Sequence, residues 1–347
     1  MYIKRILLII VLAGIVAAGA FSYFIYKTVF LPNTAFENDS TYIFVSNEST
    51  YGEVKVQLQP LLKDIESFDK VAQKKGYVQN VKPGKYQINK GMNNNEIVNS
   101  LRSNNLPVKV SFNNQETLER LAGRISEQID ADSLSLLSSF KDNSYLETNG
   151  FNSETALAMY IPNTYEFYWN TTAESFRDRM LIEFKNFWNQ DRQAKAEKLN
   201  LTPLEVINLA AIVQKETAMA DERPRVAGVY LNRLRVGMLL QADPTVIYAI
   251  KKETGNFDTV IKRVLFKDLE INSPYNTYKY PGIPPGPISM PDLSSIDAVL
   301  NPEQHDYYYF VADVSKPGYH MFAKSLAQHN RNRQQYINWI NKTGINR

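Results

Sequence analysis

Hydrophobic and polar positions divide the chain into one unbroken apolar run followed by many short periodic stretches. Residues 6–26 carry no formal charge, and a run of that length can cross a bilayer. Residues 41–45 are β-branched and aromatic, as in a strand. Residues 54–73 space Val56, Leu58, Leu61, Leu62 and Ile65 as one helix would. After the turn signal Pro83-Gly84, the pattern predicts a strand over 85–88 and a helix over 92–101, with residues 93–95 as cap candidates. A returning strand follows over 107–112. The clearest amphipathic helix is 116–129, where Leu118, Leu121, Ala122, Ile125 and Ile129 share a face. Helices are also expected over 134–140, 153–159 and 173–190, and a strand over 307–311. Residues 320–330 pass from loop to helix, and 331–340 close the fold. No internal repeat or low-complexity segment is visible. Short elements of both kinds in this order read as an α+β fold.

Residues 202–248 stand out within that pattern. Thr202, Pro203 and Glu205 form a helix start of the T-x-x-E kind. The helix should run to about Met219, with Leu209, Ile212 and Val213 on the face that also carries Glu216. A carboxyl on an apolar face is a candidate for a raised pKa, which suits a proton donor at neutral pH. The plainer alternative is a solvated glutamate, or one paired with the adjacent Lys215. A second helix over 224–234 carries Asn232 and Arg233. A loop over 237–244 carries Gln241 and Asp243, and Asp-Pro-Thr opens a third helix. Arg233 and Asp243 could form a structural ion pair.

Composition narrows the chemistry. The chain has 347 residues and no cysteine, so disulfides, thiol catalysis and thiolate metal sites are excluded. Three of the 39 Lys and Arg residues lie in residues 1–27, and the remaining 36 balance 36 Asp and Glu. The part beyond the apolar run therefore lacks the basic excess of a nucleic-acid binder. Lys4 and Arg5 precede the run, which predicts a cytoplasmic N-terminus and an exported remainder. A cleaved signal peptide is the rival, with Ala17-Ala18-Gly19-Ala20 as a cleavage region. The run continues through Phe21, Phe24 and Ile25, which favours an uncleaved anchor. The histidines His305, His320 and His329 make no metal-binding pair, and no nucleotide or nucleophile-elbow motif occurs, so neither metal nor cofactor is expected.

The stretch IVQKETAMADERPRVAGVYLNRLRVGMLLQADPTVIY resembles the core signature of the YceG-like, or MltG, family of endolytic murein transglycosylases. SPYNTYKYPGIPPGPISMP (residues 273–291), YYYFVADVSKPGYHMFAKSLAQHN (307–330) and MYIPNTYEFYW (159–169) resemble that family's other signatures. The resemblance runs from the apolar segment to about Tyr336. One departure is Gln214, at a position where the family commonly has an acid, and it favours Glu216 as the essential carboxylate.

The resemblance implies an organisation: a stub and transmembrane anchor over 1–27, a linker over 28–40, a small LysM-like α+β subdomain over 41–112 and a larger mixed α/β catalytic domain over 113–347. It implies a single-pass inner-membrane protein whose catalytic domain lies outside the cytoplasm. Its substrate would be peptidoglycan glycan strands, with penicillin-binding synthases as partners. Glu216 would be both acid and base, with Asn232, Gln241, Asn276 and Tyr278 holding sugars. The product would be a 1,6-anhydromuramyl end. On the residues alone hydrolysis stays open, because Asp221, Glu222 and Asp243 offer a second carboxylate. A non-catalytic peptidoglycan-binding scaffold of the same fold is the alternative from another class. The penicillin-binding triad of motifs also occurs in order, as Ser67-Phe68-Asp69-Lys70, Ser103-Asn104-Asn105 and Lys342-Thr343-Gly344. It is rejected, because the last lies three residues from the end of the chain and leaves no room for a site.

Overall fold

The computed structural model describes residues 2–343. The chain separates into two compact units. The first is Met1–Val110 with Ser126–Ala131 and Tyr165–Thr172, and the second is Ser111–Ile125, Asp132–Thr164 and Ala173–Arg347.

The first unit opens with α1 (Tyr2–Phe30), which is long and apolar enough to cross a membrane and has no buried residue. It continues through β1 (Ser40–Val45), α2 (Tyr51–Leu58), α3 (Ile65–Lys74), β2 (Gly84–Asn89), α4 (Asn94–Ser103) and β3 (Pro107–Phe112). Strands β1 and β2 pair antiparallel, with Ile43 opposite Tyr86 and Thr41 opposite Ile88. Their alternate residues Ile43, Val45, Tyr86 and Ile88 turn inward onto Val54, Leu58, Phe68, Val71, Ile97 and Leu101.

The single helix expected over 54–73 is two helices. Pro60 sits in a 3-10 turn after Leu58, and Asp64 caps α3 by accepting from the Glu66 and Ser67 amides. Proline removes a backbone donor and the cap offers a better start four residues later. Val56, counted inward by periodicity, is exposed. The expected return of residues 107–112 onto the preceding strand does not occur, since β3 pairs with β4 (Asn163–Tyr168). Asn93 does cap α4, in a reciprocal box with Glu96. Ser67, the serine of the rejected motif set, donates to the Asp64 carbonyl at 2.9 Å and accepts from Asn94 Nδ2 at 2.9 Å. It serves the helix start. Gly344 of the third motif lies outside the described residues.

The second unit is mainly helical. It contains α5 (Leu118–Ser126), α6 (Ser133–Phe140), α7 (Asn143–Thr148), α8 (Ala173–Phe187), α9 (Gln190–Lys198), α10 (Pro203–Glu216), α11 (Arg223–Arg235), α12 (Asp243–Thr254) and α13 (Leu293–Leu300). The hairpin β5 (Tyr309–Ala312) and β6 (His320–Ala323) and then α14 (Leu326–Thr343) close the chain. Helix α9 was not expected: Asn189 caps a new helix where the pattern suggested continuation to residue 190.

Helix α10 is the centre of this unit. Every residue from Val206 to Val213 is buried. Around it pack Val226, Ala227 and Tyr230 of α11, Ile296, Val299 and Leu300 of α13, and Trp188. A helix apolar on all sides belongs in a core. Burial of each large aliphatic chain contributes about 1.5–3 kcal/mol, enough to carry Asn208 inside as well. That side chain donates to the Pro284 carbonyl at 3.0 Å and so ties the helix to the proline-rich loop over 275–287.

Candidate active site

The capping box at Thr202 and Glu205 starts α10, and Glu216 is its last residue. The helix ends three residues before the expected Met219. Thr217 turns extended, accepts from the Met219 amide at 3.1 Å and donates to Glu222 at 3.0 Å. That competing set of bonds outweighs another helical turn.

Among the described residues no cation is bound to Glu216. The neighbouring Lys215 turns to Glu116 at 2.9 Å, and Lys251 binds the other oxygen of Glu116 at 2.8 Å. The Glu216 carboxyl instead accepts a hydrogen bond of 2.8 Å from the hydroxyl of Tyr230, a side chain only 1% exposed. Desolvation pushes the Glu216 carboxyl up to about 7, with the Asp243 charge adding to the rise and the Tyr230 bond and Arg233 charge opposing it. Burial wins because neither opposing influence is an ion pair. A carboxyl poised there is protonated in part at neutral pH and can give and retake a proton.

Arg233 lies one turn beyond Tyr230 on α11 and is buried. Its guanidinium donates to the Tyr308 carbonyl at 2.7 Å and the Leu240 carbonyl at 2.5 Å. The ion pair suggested for Arg233 and Asp243 is therefore not how either is used. Asp243, exposed at the start of α12, accepts from the Tyr278 hydroxyl at 2.6 Å. Tyr278 is held above the usual phenol range by burial and then by that carboxylate.

The four expected sugar-holding residues fall into two groups. Tyr278 belongs to the electrostatic neighbourhood of Glu216, and both Tyr278 and Asp243 bear on that cluster. Gln241 is exposed, on a left-handed backbone with φ 47°, and its amide bonds the Thr277 carbonyl at 3.0 Å. Asn232 and Asn276 are turned inward. Asn232 donates to the carbonyls of His305 at 2.8 Å and Tyr307 at 3.1 Å. Asn276 is fully buried, donates to the Leu269 and Ile271 carbonyls and accepts from the Tyr278 amide at 3.0 Å. These two asparagines brace the backbone that presents Tyr278 and the β5 hairpin.

The proline-rich loop is held against α12 by Thr277, whose hydroxyl meets the Ala242 amide at 3.0 Å and the Thr245 hydroxyl at 2.8 Å. Gly286 fits because a Cβ there would lie 2.1 Å from the Glu154 carbonyl oxygen. Two residues before Glu216, Gln214 accepts from the Asp292 amide at 2.6 Å and from Asn114 at 3.4 Å. Asn114 and Asp292 line a polar groove of about 490 Å³ with Asn113, Asn163, Thr164 and Arg124. Among the described residues no group of three or more His, Asp or Glu is placed to hold a metal ion.

The model of the YceG-like family matches residues 43–335. The chain belongs to the YceG-like family. A Bacillus subtilis (strain 168) protein named endolytic murein transglycosylase is 31% identical over 75% of this chain and 74% of its own length. A Streptococcus pneumoniae (serotype 2, strain D39) protein of the same name is 28% identical over 95% of this chain and 64% of its own length. A crystal structure of a yceG-like protein from Listeria monocytogenes superposes with a TM-score of 0.56 at 26% identity, covering 85% of this chain and 99% of that one.

Two features of the candidate site in this YceG-like chain carry no local signal in the sequence. Tyr230 sits in the family's core stretch, but a tyrosine in an apolar helix carries no mark of a hydroxyl aimed at a carboxyl 14 residues back. Glu222 and His320 form the second case. Glu222 is 4% exposed and accepts from the His320 amide at 2.7 Å and from His320 Nδ1 at 2.8 Å. Their separation of 98 residues hides the pair from any local pattern.

Proposed function

We propose that this chain is an endolytic murein transglycosylase that cleaves the β-1,4 bond between N-acetylmuramic acid and N-acetylglucosamine within glycan strands. The observation that carries the reading is Glu216: a carboxyl at the end of a core helix, with a tyrosine donor and, among the described residues, no bound cation, pushed up to about 7. In the first step its proton goes to the glycosidic oxygen as the C1–O bond breaks. In the second, the resulting carboxylate takes the proton of the muramyl 6-hydroxyl while that oxygen bonds to C1. The product is a 1,6-anhydro end, no water is consumed and Glu216 is restored.

The disposition of the other carboxylates supports a single acid. Glu222 is enclosed by Thr217 and His320. Asp221 is bonded to the Tyr319 hydroxyl at 3.0 Å, and Asp243 to Tyr278. The names of the Bacillus and Streptococcus relatives support the same activity. In this reading Tyr278 and Gln241 meet sugars, and the polar groove beside Gln214 accommodates the strand. Residues 41–112 act as a LysM-like glycan-holding module. Helix α1 anchors the chain in the cytoplasmic membrane with Lys4 and Arg5 inside, bringing residues 113–347 to nascent strands beside penicillin-binding synthases.

The decisive experiment is mass spectrometry of borohydride-treated products made from purified strands by the full chain. Ends that resist reduction, lighter than reduced hydrolytic ends by one water and two hydrogens, are expected. Reducible ends would show that water is the nucleophile and sink the single-acid mechanism.

A further inference from the structure

The turn after the catalytic helix holds a second carboxyl whose surroundings differ from those of Glu216. Glu222 receives Thr217 Oγ1 at 3.0 Å, the His320 amide at 2.7 Å and His320 Nδ1 at 2.8 Å. A carboxylate only accepts, so Nδ1 carries a proton, and it is the tautomer with the lone pair on Nε2 that this contact selects. The His320 side chain is 16% exposed, and among the described residues Nε2 has no protein partner. Orienting an imidazole through its other nitrogen is how proteins present one ring nitrogen to a ligand.

The rest of the hairpin holds that ring in register with the catalytic end of α10. Gly318, at φ +87°, sits so close over Met219 that a Cβ would approach its Cε to 2.4 Å. The Tyr319 hydroxyl binds both oxygens of Asp221, at 3.1 and 3.0 Å. The Phe310 ring packs edge-on against His320, with centroids 5.1 Å apart, and edge-on against Tyr230 at 6.0 Å. Tyr230 is the residue that holds Glu216. One aromatic wall therefore links the proton donor to the histidine, and Thr217 links the same two points along the backbone.

We propose that His320 is a substrate-positioning group, whose Nε2 accepts a hydrogen bond from a hydroxyl or acetamido N–H of the bound glycan, with Glu222 holding the ring in that tautomer. The proposal rests on the transglycosylase reading and adds a contact that none of Glu216, Tyr230 and Tyr278 supplies. It also accounts for a buried carboxylate spent on a histidine, where a structural role alone would be met by the backbone amide.

The test uses the full-length Glu216→Gln chain in detergent, labelled with [15N]histidine. Only three histidines report, so His305 and His329 serve as internal references. Without ligand, the His320 signals should show protonated Nδ1 and unprotonated Nε2. Purified uncrosslinked glycan strands should move the Nε2 signal while His305 stays in place. Adding His320→Ala should weaken strand binding about tenfold, the scale of one good hydrogen bond. Adding Glu222→Gln should weaken it by less and mix the tautomers. A silent Nε2 at saturating strands, or unchanged affinity in His320→Ala, would reduce the pair to a clamp on the hairpin and overturn the proposal. Cleavage by the wild-type chain is measured in parallel. If strands are cleaved and His320 is silent, only this inference fails; if strands neither bind nor are cleaved, both readings fail.

Discussion

Two carboxylates, one in each unit, accept a tyrosine hydroxyl at the same distance and end in opposite states. In the first unit, Asp69 accepts from Tyr51 at 2.8 Å; in the second, Glu216 accepts from Tyr230 at 2.8 Å. Burial pushes both upward. At Asp69 the Tyr51 and Gln73 bonds and Lys55, 3.4 Å away, overcome that push and hold the carboxyl below its usual range. At Glu216 one hydroxyl faces a stronger push from fuller burial, with no cation in contact among the described residues, and the carboxyl rises to about 7. Deeper burial, with no cation in contact among the described residues to offset it, distinguishes the proposed proton donor. Lys215 shows how a cation is kept away, because Glu116 takes it from its sequence neighbour.

The sharpest way to break the comparison is Glu216→Gln, which keeps the shape and deletes the proton. General acid–base catalysis contributes about 10²–10⁴-fold, and in the proposed mechanism one group serves both transfers. Turnover of glycan strands should fall by about 10⁴-fold, with the far-ultraviolet dichroism of the wild type. A fully active variant would remove Glu216 from the mechanism.

Tyr230→Phe asks what the single hydroxyl does. It deletes a bond to a charged group worth about 1.5–3 kcal/mol, so kcat/KM should fall about 10- to 100-fold. The Tyr230 bond lowers the Glu216 carboxyl. Its loss should therefore move the alkaline limb of the rate profile to higher pH. A limb that moves down, or does not move, would contradict the assigned direction.

Stability gives the same contrast with a worked sign. The folded pKa of Glu216 lies above its unfolded value, so its contribution is full below about pH 4.5 and lost as pH rises through about 7. Glu216→Gln should thus be more stable than wild type at alkaline pH, by about 3 kcal/mol at most, and equal to it under acid conditions. Thermal unfolding across that range measures this. Asp69 runs the other way. Its depressed pKa stabilises the fold at neutral pH, and the gain is lost as acid protonates it. Asp69→Asn should cost about 1 kcal/mol or less at neutral pH, nothing in strong acid, and leave strand cleavage unchanged. A loss that grows on acidification would refute the sign.

Much of the second unit's helical order was legible because its signals are local. The box at Thr202 and the proline starts at Pro203, Pro224 and Pro244 all act within one turn. The errors were local conflicts won by a stronger neighbour. Asp64 and Pro60 divided a helix that periodicity joined, and Asn189 began one that periodicity had closed. Asn232 and Asn276 looked like sugar ligands because polar groups in signature stretches invite that reading. Buried backbone carbonyls without other donors need partners, and these two amides supply them.

By itself the sequence determined the apolar first segment, the family-bearing stretches, the helix that carries a carboxylate on its apolar face and the absence of thiol chemistry. Each depends on residue identity or on spacing within a few turns of chain. Only the tertiary structure decided that Lys215 leaves Glu216 for Glu116, that Tyr230 donates a hydrogen bond to Glu216, and that Glu222 meets His320 across 98 residues. A proton's affinity for a carboxyl is set by what lies within a few ångströms of it. Those neighbours come from remote parts of the chain, brought together by burial of α10 on every side.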